Sequence, residues 1–396
     1  MKKDFFKDSK IKFPAYEPWI SSEDKKIVNK TLAQSMLTLG PRLEKFEADF
    51  CKYSQAKYAI AVSNCTAALH LSLKALGIKK DDEVIVPDLT FVADANAVLA
   101  CNAKPVIVDI NKENFFLSIP NIKKNITKKT KAIIPVHIYG QVCNIDEILD
   151  VAHDNNLKVI EDCAHAIGTF HNSKHVGNLG NTGCFSFYPT KNITTAEGGM
   201  VTTDSKELWS RMWSYKDHGK SYDAVYNTEH PPGFRWLHES FGTNWRMTEM
   251  QAAIGRIQIA RMPEWTETRQ RYGSMLDEVG KKYECIRTVN VPEYIEHAEY
   301  KHYFFVKPEF LKDGWTRDKI VEAMSELKVP CMQGSCSEVY LEKAFDNTPW
   351  RPRERLPRAK ELGETSLMML VHPTLRSDEM LKMCEALDSV LSVASK

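Results

Sequence analysis

Short apolar runs alternate with amphipathic helical stretches through the first half of this chain, and this alternation constrains the fold more than any other feature. The stretch with Ile145, Ile148 and Ala152 at helical spacing is one of the helices that separate the runs. Continuous apolar strands alternating with such helices are typical of a parallel sheet covered on both faces. We therefore predict an α/β fold with strands at 58–62, 83–87, 105–110, 132–138 and 158–162.

Two further apolar runs, GCFSF (183–187) and GMVTT (199–203), predict antiparallel or edge strands of the same sheet. Near the start of the chain, Ser21 and Asp24 resemble a capping box that opens a helix over 21–35. The other helices expected in this half lie at 43–53, 66–76 and 91–102.

The pattern of predicted helices and strands changes after residue 255. A long helical stretch over 247–282 is interrupted at Pro263, and shorter elements follow it, namely a strand at 302–307 and helices at 316–327 and 377–394. A chain of 396 residues exceeds one ordinary hydrophobic core. We predict a large α/β domain over residues 1–255 and a smaller α+β domain over residues 256–396.

Charge and cysteine content restrict the class of protein. With 53 Lys and Arg against 52 Asp and Glu, the formal charge is +1, which gives no basic surface for nucleic acid or a membrane. The ten cysteines, Cys336 among them, form no CxxC pair, and the N-terminal MKKDFFKDSKIKF has no apolar core of a signal peptide. We expect a cytoplasmic protein with no nucleic-acid partner, no membrane segment and no metal.

Lys191 stands in the phrase CFSFYPTKNITTAEGGM, residues 184–200. A buried strand ends at a proline, one amine follows, and a Thr/Gly-rich turn closes the phrase. Burial disfavours the charged form of an amine, and a deprotonated lysine attacks carbonyls. Most lysines that follow a strand are solvated, so Lys191 alone leaves both readings open.

Asp162 closes the strand KVIED, 29 residues before Lys191. Ligands of open parallel sheets bind at the carboxyl ends of the strands. A carboxylate there can keep a pyridinium nitrogen protonated, which makes the ring an electron sink. The acidic pair at this strand end can equally cap a helix or pair with a basic side chain.

Three other positions suit a phosphorylated ring. The segment Ser63 to Thr66 lies between a strand and a helix, where backbone N–H groups bind phosphate, although Ser63 or Thr66 can also be an ordinary helix cap. Ser186 could add a hydroxyl. Phe91, at the start of a helix after a strand, could stack on a flat ring or belong to the core.

Taken together, these motifs resemble the DegT/DnrJ/EryC1/StrS group of sugar aminotransferases, within the fold type I pyridoxal phosphate superfamily. The resemblance covers nearly the whole chain and rests on ordered phrases: LGPRLEKFEADF, SNCTAALHLSLKALGI, PDLTFVADANAV, VIEDCAHAIG, CFSFYPTKNITTAEGGM and GTNWRMTEMQAAIG. It implies a mostly parallel central sheet between helices, with pyridoxal 5′-phosphate as cofactor.

The resemblance also implies roles for individual residues. Lys191 forms the Schiff base with the cofactor and shuttles a proton, Asp162 holds the pyridinium nitrogen, and His165 hydrogen-bonds the phenolic oxygen. The residues that hold the ring and the phosphate are then Phe91 and Ala164 on the two ring faces, and Thr66, the Cys65 amide and Ser186 at the phosphate.

Asn244, in GTNWRM, resembles the family asparagine that reaches the cofactor of the neighbouring subunit. The resemblance therefore implies a homodimer with shared active sites. The alternative is that Asn244 only caps the following helix within its own chain.

The implied reaction moves an amino group from L-glutamate to a keto group of a nucleoside-diphosphate deoxysugar, at C4 rather than C3. The product would be an amino sugar of lipopolysaccharide, O-antigen or another surface glycoconjugate. Among substrates, N-acetylated UDP-sugars are favoured, and the segment around Asp217, His218 and Lys220 is a candidate for specificity.

Two positions depart from the family pattern, which commonly has glycine where Cys65 and Ala196 stand. Cys65 still offers its amide, and we expect little consequence at Ala196 because alanine there requires only that φ is not positive. Lys191 is kept, whereas the dehydratase branch of the family has histidine instead, so transamination is favoured over dehydration.

Two rival functions remain open at this stage. A metal-dependent hydrolase could use Asp162, Cys163, His165 and Cys184 as ligands, although neighbouring residues of a strand point to opposite faces. A regulatory homologue could keep the cofactor without turnover. The colour and the metal content of the purified protein discriminate among these functions. An enzyme with bound pyridoxal phosphate should be yellow and free of metal.

Overall fold

A computed structural model describes residues 18–111, 113, 115–334 and 338–396. The N-terminal phrase MKKDFFKDSKIKF, which lacks the apolar core of a signal peptide, and Cys336 lie outside these residues. No helix in the described ranges is long and apolar enough to span a bilayer.

The strands and helices of the described residues agree closely with the predicted order. The strands are β1 (Tyr58–Val62), β2 (Glu83–Pro87), β3 (Lys104–Val108), β4 (Thr130–Ile133), β5 (Lys158–Asp162), β6 (Phe170–His171), β7 (Lys174–His175), β8 (Thr182–Ser186), β9 (Gly199–Thr203), β10 (Ile286–Thr288), β11 (Ile295–Glu296), β12 (His302–Val306), β13 (Cys331–Gln333) and β14 (Ser366–Met369). The helices are α1 (Ser22–Leu32), α2 (Pro41–Ser54), α3 (Cys65–Ala75), α4 (Ala93–Ala100), α5 (Ile119–Asn125), α6 (Ile145–Asp154), α7 (Lys206–Lys216), α8 (Tyr222–Tyr226), α9 (Glu249–Gly280), α10 (Arg317–Glu326), α11 (Pro357–Thr365) and α12 (Ser377–Ala394).

The main sheet has the strand order β1-β9-β8-β5-β4-β2-β3. Strands β8, β5, β4, β2 and β3 run parallel, and β9 is antiparallel to both of its neighbours. Successive residues such as Ile60 and Ala61 bury their side chains in different clusters on the two faces. The predicted α/β sheet is confirmed, and GMVTT forms its antiparallel strand β9. The prediction that GCFSF is an antiparallel or edge strand was wrong, because β8 lies inside the sheet and runs parallel to β5.

A second, antiparallel sheet follows in the order β10-β12-β14-β13. Alternate residues of β12 enter different cores, because Phe304 packs with α10 and α12 residues while Tyr303 and Phe305 join the core of the main sheet. The remaining strands form a small sheet, β11-β6-β7. The domain boundary at 255/256 falls within α9 and stays a prediction.

Two other local predictions were wrong. Helix α9 continues through Pro263, because Met262 and Trp265 on either side are buried and their packing outweighs the lost backbone hydrogen bond. Strand β4 ends at Ile133 rather than Ile138, since Pro135 has no N–H to donate and the segment keeps only a bridge to β5.

Helix α9 also fixes the start of α2. The buried Glu249 carboxylate accepts hydrogen bonds from the N–H groups of Gly40, Arg42 and Leu43 at 2.9 to 3.0 Å. A Cβ at Gly40 would lie 2.8 Å from the carboxylate carbon, so glycine leaves room for the carboxylate in its present position. One carboxylate thus satisfies donors that the first turn of α2 leaves without an intrahelical acceptor.

We expect Glu249→Ala to lower the free energy of unfolding by about 2–4 kcal/mol, because three backbone donors lose their acceptor. Urea unfolding at a fixed protein concentration measures this loss. The matched control is Glu264→Ala, on the exposed side of the same helix, which should stay within about 0.5 kcal/mol. A loss at position 249 no larger than the control's would contradict this role.

Candidate active site

Strand β5 ends in two carboxylates with different surroundings. The fully buried Glu161 accepts a hydrogen bond from His137 Nε2 at 2.9 Å and three more from backbone N–H groups of the loop 177–180. The structural role that the sequence left open for this acidic pair therefore belongs to Glu161. Asp162 is then the carboxylate of the pair that remains as a candidate for the active site.

Asp162 is buried, and its Oδ1 accepts a hydrogen bond from the N–H of Ala164 at 2.8 Å. Its carboxyl group also meets that of Asp94, which in turn accepts from Thr90 Oγ1 at 2.5 Å. Burial, and then the charge of Asp162, raises the pKa of Asp94 well above the usual range of aspartate. Asp94 therefore keeps its proton to a higher pH than an ordinary aspartate.

Lys191 lies in the loop after β8, as predicted. Its N–H donates to the carbonyl oxygen of Tyr188 at 2.9 Å, and its amine lies 5.1 Å from the centroid of the Tyr300 ring. The charge of Lys191 acts on Asp162, His165 and Cys65. The structure thus brings these four predicted residues into one neighbourhood.

The prediction for Ala196, later in the lysine loop, was wrong. Its φ is +70°, in the left-handed region that favours glycine. The alanine therefore strains the loop, by about 1 kcal/mol. The hydrogen bond from its N–H to Thr194 Oγ1 at 3.0 Å contributes to holding this conformation.

His165 is poised as a neutral hydrogen-bond donor. Its ring stacks on Tyr300 with centroids 4.2 Å apart, and its Nδ1 accepts from the N–H of Tyr139 at 3.4 Å. Burial, and then the charges of Lys191 and Lys301, lowers the pKa of His165 well below its usual range. The proton of the neutral imidazole is therefore on Nε2, which can donate to a ligand oxygen.

The N-terminus of α3 provides open backbone donors. Asn64 caps this helix, because its Oδ1 accepts from the N–H of Ala67 at 2.8 Å, so the alternative of a cap by Ser63 or Thr66 was wrong. Across the described ranges, the N–H groups of Cys65 and Thr66 have no acceptor. They are available to an anion at the positive end of the helix.

Two neighbours complete this end of the site. Strand β9 begins so close to it that a Cβ at Gly199 would lie 2.6 Å from the carbonyl carbon of Asn64. The buried Ser186 accepts from the N–H of Tyr188 at 3.4 Å, which leaves its hydroxyl hydrogen free to donate.

Phe91 is not a core residue. Its side chain is 67% exposed, just before α4, and so its ring offers an open face. Ala164 is half-buried two residues after Asp162. That these two residues enclose a ring stays a prediction.

These groups fit a flat pyridine ring that carries a phosphate and an aldehyde. A buried carboxylate suits the ring nitrogen, a neutral imidazole N–H suits the phenolic oxygen, and the start of α3 suits the phosphate. An amine for the aldehyde lies in the same neighbourhood.

Asn244 is exposed, and within the described residues its Oδ1 accepts only a long bond of 3.5 Å from the N–H of Arg246. Helix α9 is capped by Thr248, in a capping box with Gln251, so the alternative that Asn244 caps this helix was wrong. Its backbone pairs with that of Asp217. Contact with a second subunit stays a prediction.

The proposed metal ligands do not converge. Cys163 Sγ is directed to the carbonyl oxygen of Glu161 at 3.7 Å, and Cys184 Sγ lies 3.3 Å from Ser72 Oγ. Among the described residues, the one set with ligand spacing is His137, Glu161 and Cys163. Both Glu161 oxygens there already accept the hydrogen bonds described above.

Sequence reasoning missed four residues of this region. Asp94 stood inside the quoted phrase PDLTFVADANAV, at the start of a helix that follows a strand, which was a usable signal. Tyr300 and Lys301 directly precede the predicted strand at 302–307. Arg269, buried within α9, gave no sequence signal.

The chain belongs to the DegT/DnrJ/EryC1/StrS aminotransferase family, whose model matches residues 18–388. It is similar to the crystal structure of an aminotransferase from Psychrobacter cryohalolentis, with 45% identity, 95% of this chain and 99% of that chain covered, and a TM-score of 0.93. The fold is therefore that of the fold type I aminotransferases.

Two curated relatives are similar over nearly their full length. GDP-perosamine synthase of Escherichia coli O157:H7 is 32% identical over 384 residues, 96% of this chain and 98% of the relative. Spore coat polysaccharide biosynthesis protein SpsC of Bacillus subtilis is 32% identical over 379 residues, which cover 95% of this chain and 96% of the relative. With the family established and the site fitting it, the cofactor is pyridoxal 5′-phosphate.

The Asp94–Asp162 pair predicts a pH dependence of stability in the cofactor-free protein. A carboxyl group whose pKa is raised by folding binds its proton more tightly in the folded state, so stability falls as the pH rises above the ordinary value of 3.8. An asparagine side chain at position 94 cannot titrate. The unfolding free energy of Asp94→Asn, relative to the parent, should therefore increase between pH 5 and pH 8.

Denaturant unfolding of both proteins at the two pH values measures this increase. Asp313→Asn, at an exposed position, is the matched control and should show no such trend. A difference between Asp94→Asn and the parent that does not change with pH would count against a raised pKa of Asp94 in the folded protein.

Proposed function

We propose that this aminotransferase moves an amino group from L-glutamate to the C4 keto group of a nucleoside-diphosphate-linked deoxysugar. The observation that carries the proposal is the grouping of Lys191, Asp162 and a neutral His165 beside the open N–H groups of α3. The names of the relatives support a sugar nucleotide as acceptor. A role in surface polysaccharide or glycoconjugate synthesis accords with the name of SpsC.

Pyridoxal phosphate, when bound, would supply a carrier for the amino group and an electron sink. Asp162, which lies beside the Asp94 carboxyl group, would accept a hydrogen bond from the ring nitrogen. The neutral His165 would donate its Nε2–H to the phenolic oxygen. Lys191 would take up and return the proton of the reacting carbon of the substrate.

The active unit in this proposal is a homodimer. Three aromatic side chains lie in the segment before Asn244 and are almost fully exposed: Phe234 at 82%, Trp236 at 87% and Phe241 at 98%. An exposed aromatic patch of this kind marks an interaction surface. A second copy of the chain that covers it would bring Asn244 toward the neighbouring cofactor phosphate.

The cytoplasm is the compartment that this proposal requires. The nine cysteines of the described ranges are unpaired, as expected in a reducing compartment. A nucleotide sugar and glutamate are both metabolites of that compartment.

The acceptor can be identified by a panel experiment. The amino form of the enzyme is mixed with GDP-, UDP- and dTDP-linked 3-keto and 4-keto sugars, and the aldehyde absorbance of the cofactor is followed. Both GDP- and N-acetylated UDP-sugars belong in the panel, because relatives are named GDP-perosamine synthase while the sequence favoured UDP-sugars. No return of the aldehyde with any 4-keto sugar would overturn the proposal.

Lys191→Ala should abolish multiple turnover while the fold stays intact, since the side chain is half-buried in a loop. Its unfolding free energy should stay within about 1 kcal/mol of the parent. Steady-state assays and denaturant unfolding measure the two effects. Lys206→Ala, at the exposed start of α7, is the control, and retained turnover in Lys191→Ala would remove this lysine from the mechanism.

Mixing two inactive proteins tests the shared site. If Lys191→Ala and Asn244→Asp subunits exchange at random, half of the dimers are mixed and each has one intact site, so about a quarter of the parent activity should return. Native mass spectrometry confirms the exchange. Mixed dimers without activity would place both residues in the same chain's site.

A further inference from the structure

The segment 297–300, between β11 and β12, reaches from the C-terminal half of the chain to the candidate active site. Its Tyr300 is buried, and the ring lies within 12° of the plane of the His165 ring on which it stacks. The Tyr300 hydroxyl lies 3.2 Å from Oγ1 of Thr190, which directly precedes Lys191. One aromatic side chain of this segment therefore contacts both His165 and the lysine loop.

A second connection to His165 runs through the backbone of Tyr139. The N–H of Tyr300 donates to the carbonyl oxygen of Tyr139 at 3.2 Å, and His297 Nε2 is hydrogen-bonded to the same oxygen at 3.3 Å. The N–H of Tyr139 is in turn the donor to His165 Nδ1. Both ends of the segment 297–300 thus act on the same imidazole.

Glu299, in the middle of this segment, has an unfavourable backbone conformation. Its φ is +48°, in the left-handed region that favours glycine. A residue with a side chain keeps such a conformation only where surrounding contacts hold it. Arg269 supplies two of these contacts, because its Nη1 donates to the carbonyl oxygens of Glu299 at 3.5 Å and of Tyr300 at 3.2 Å.

The Glu299 carboxylate supplies the others. Its Oε1 lies 3.1 Å from His297 Nδ1, and its Oε2 lies 3.5 Å from His302 Nδ1. Burial alone would raise the pKa of Glu299, but His297 and His302 lower it below its usual range, so the group is charged at neutral pH. Burial alone would lower the pKa of His302, but Asp277 and Glu299 raise it to about 9.

Helix α9 leaves room for this carboxylate at Gly273. A Cβ at Gly273 would lie 2.9 Å from the carboxyl carbon of Glu299 and 3.2 Å from His302 Nδ1. Glycine is less favourable than alanine inside a helix. The close approach of Glu299 is therefore the physical reason that glycine suits this position of α9.

We propose that Glu299 is a positioning residue of the active site. Its carboxylate fixes the segment 297–300, so that Tyr300 covers one face of His165 and Tyr139 donates to its Nδ1, which keeps the imidazole proton on Nε2. Glu299 acts through these residues and not on the substrate. The inference rests on the proposed function for the role of His165, and not for the identity of the acceptor.

The first test observes His165 by NMR in the full-length protein labelled at the histidine rings, with and without pyridoxal phosphate. The absence of its signal from His165→Gln assigns it. In the parent the signal should be that of a neutral Nε2–H ring, displaced by the ring current of Tyr300 relative to Tyr300→Leu. Glu299→Gln, which keeps the size and loses the charge, should lose at least half of this displacement and show both neutral tautomers.

A second variant moves the same carboxylate without removing it. Gly273→Ala crowds Glu299, while alanine suits the helix. It should change the His165 signal in the same direction as Glu299→Gln does. Two controls should leave this signal as in the parent: Glu249→Gln, which weakens the buried carboxylate contact with α2, and Ser274→Ala, exposed on α9.

The second test measures each half-reaction of the holoenzyme by the absorbance of the cofactor. Because His165 and Lys191 serve both half-reactions, Glu299→Gln should slow both by similar factors, about tenfold or more, as expected when catalytic groups are displaced. Denaturant unfolding verifies that the variant is folded. Glu296→Gln, exposed in β11, is the control and should stay within about twofold of the parent.

Three results would overturn the positioning role: a His165 signal in folded Glu299→Gln that equals the parent's, an equal change in Glu249→Gln, or a loss confined to the keto-sugar half-reaction. If Glu299→Gln does not fold, the His165 signal of Gly273→Ala decides. A parent protein whose His165 signal depends on Glu299 but which aminates no keto sugar would support the positioning role and overturn the proposed acceptor. The two failures are thereby distinguishable.

Discussion

The site depends on the hydrogen bonds that the buried Glu161 carboxylate accepts. It ties the end of β5 to His137 and to the loop 177–180, through hydrogen bonds of 2.7 to 2.9 Å. Since successive side chains of a strand point to opposite faces, anchoring Glu161 on one face sets the direction of Asp162 on the other. Of these two neighbouring residues, Glu161 therefore stabilises the fold, and Asp162 faces the candidate site.

Charge is organised on two sides of Lys191. On one side, the buried carboxyl groups of Asp162 and Asp94 lie together, and burial raises the pKa of both. On the other side, Arg269 and Lys301 line a cleft in which none of the described lining residues is acidic. Lys191 therefore lies between a pair of buried carboxyl groups and a cleft lined by cations.

Sequence patterns predicted the features that depend on residues close together in the chain. Strand β5 was predicted to the residue because a continuous apolar run ends in charged residues, and Asp162 and Lys191 followed from such strand ends. The positive φ of Ala196, the uninterrupted α9 at Pro263 and the unsatisfied Nε of Arg269 were not predictable, because each is decided by packing between segments distant in the chain. The family resemblance supplied residue roles that spacing alone left open.

The central claim is that nitrogen passes from glutamate through the Lys191 site to C4 of a nucleotide-linked sugar. The most direct measurement supplies ¹⁵N-glutamate and a nucleoside-diphosphate 4-keto sugar that the panel identifies, and examines the product by NMR. The account predicts ¹⁵N bonded to C4 of the sugar, with one 2-oxoglutarate formed for each amino sugar. Label released as ammonia, or a deoxygenated keto sugar without nitrogen, would contradict it.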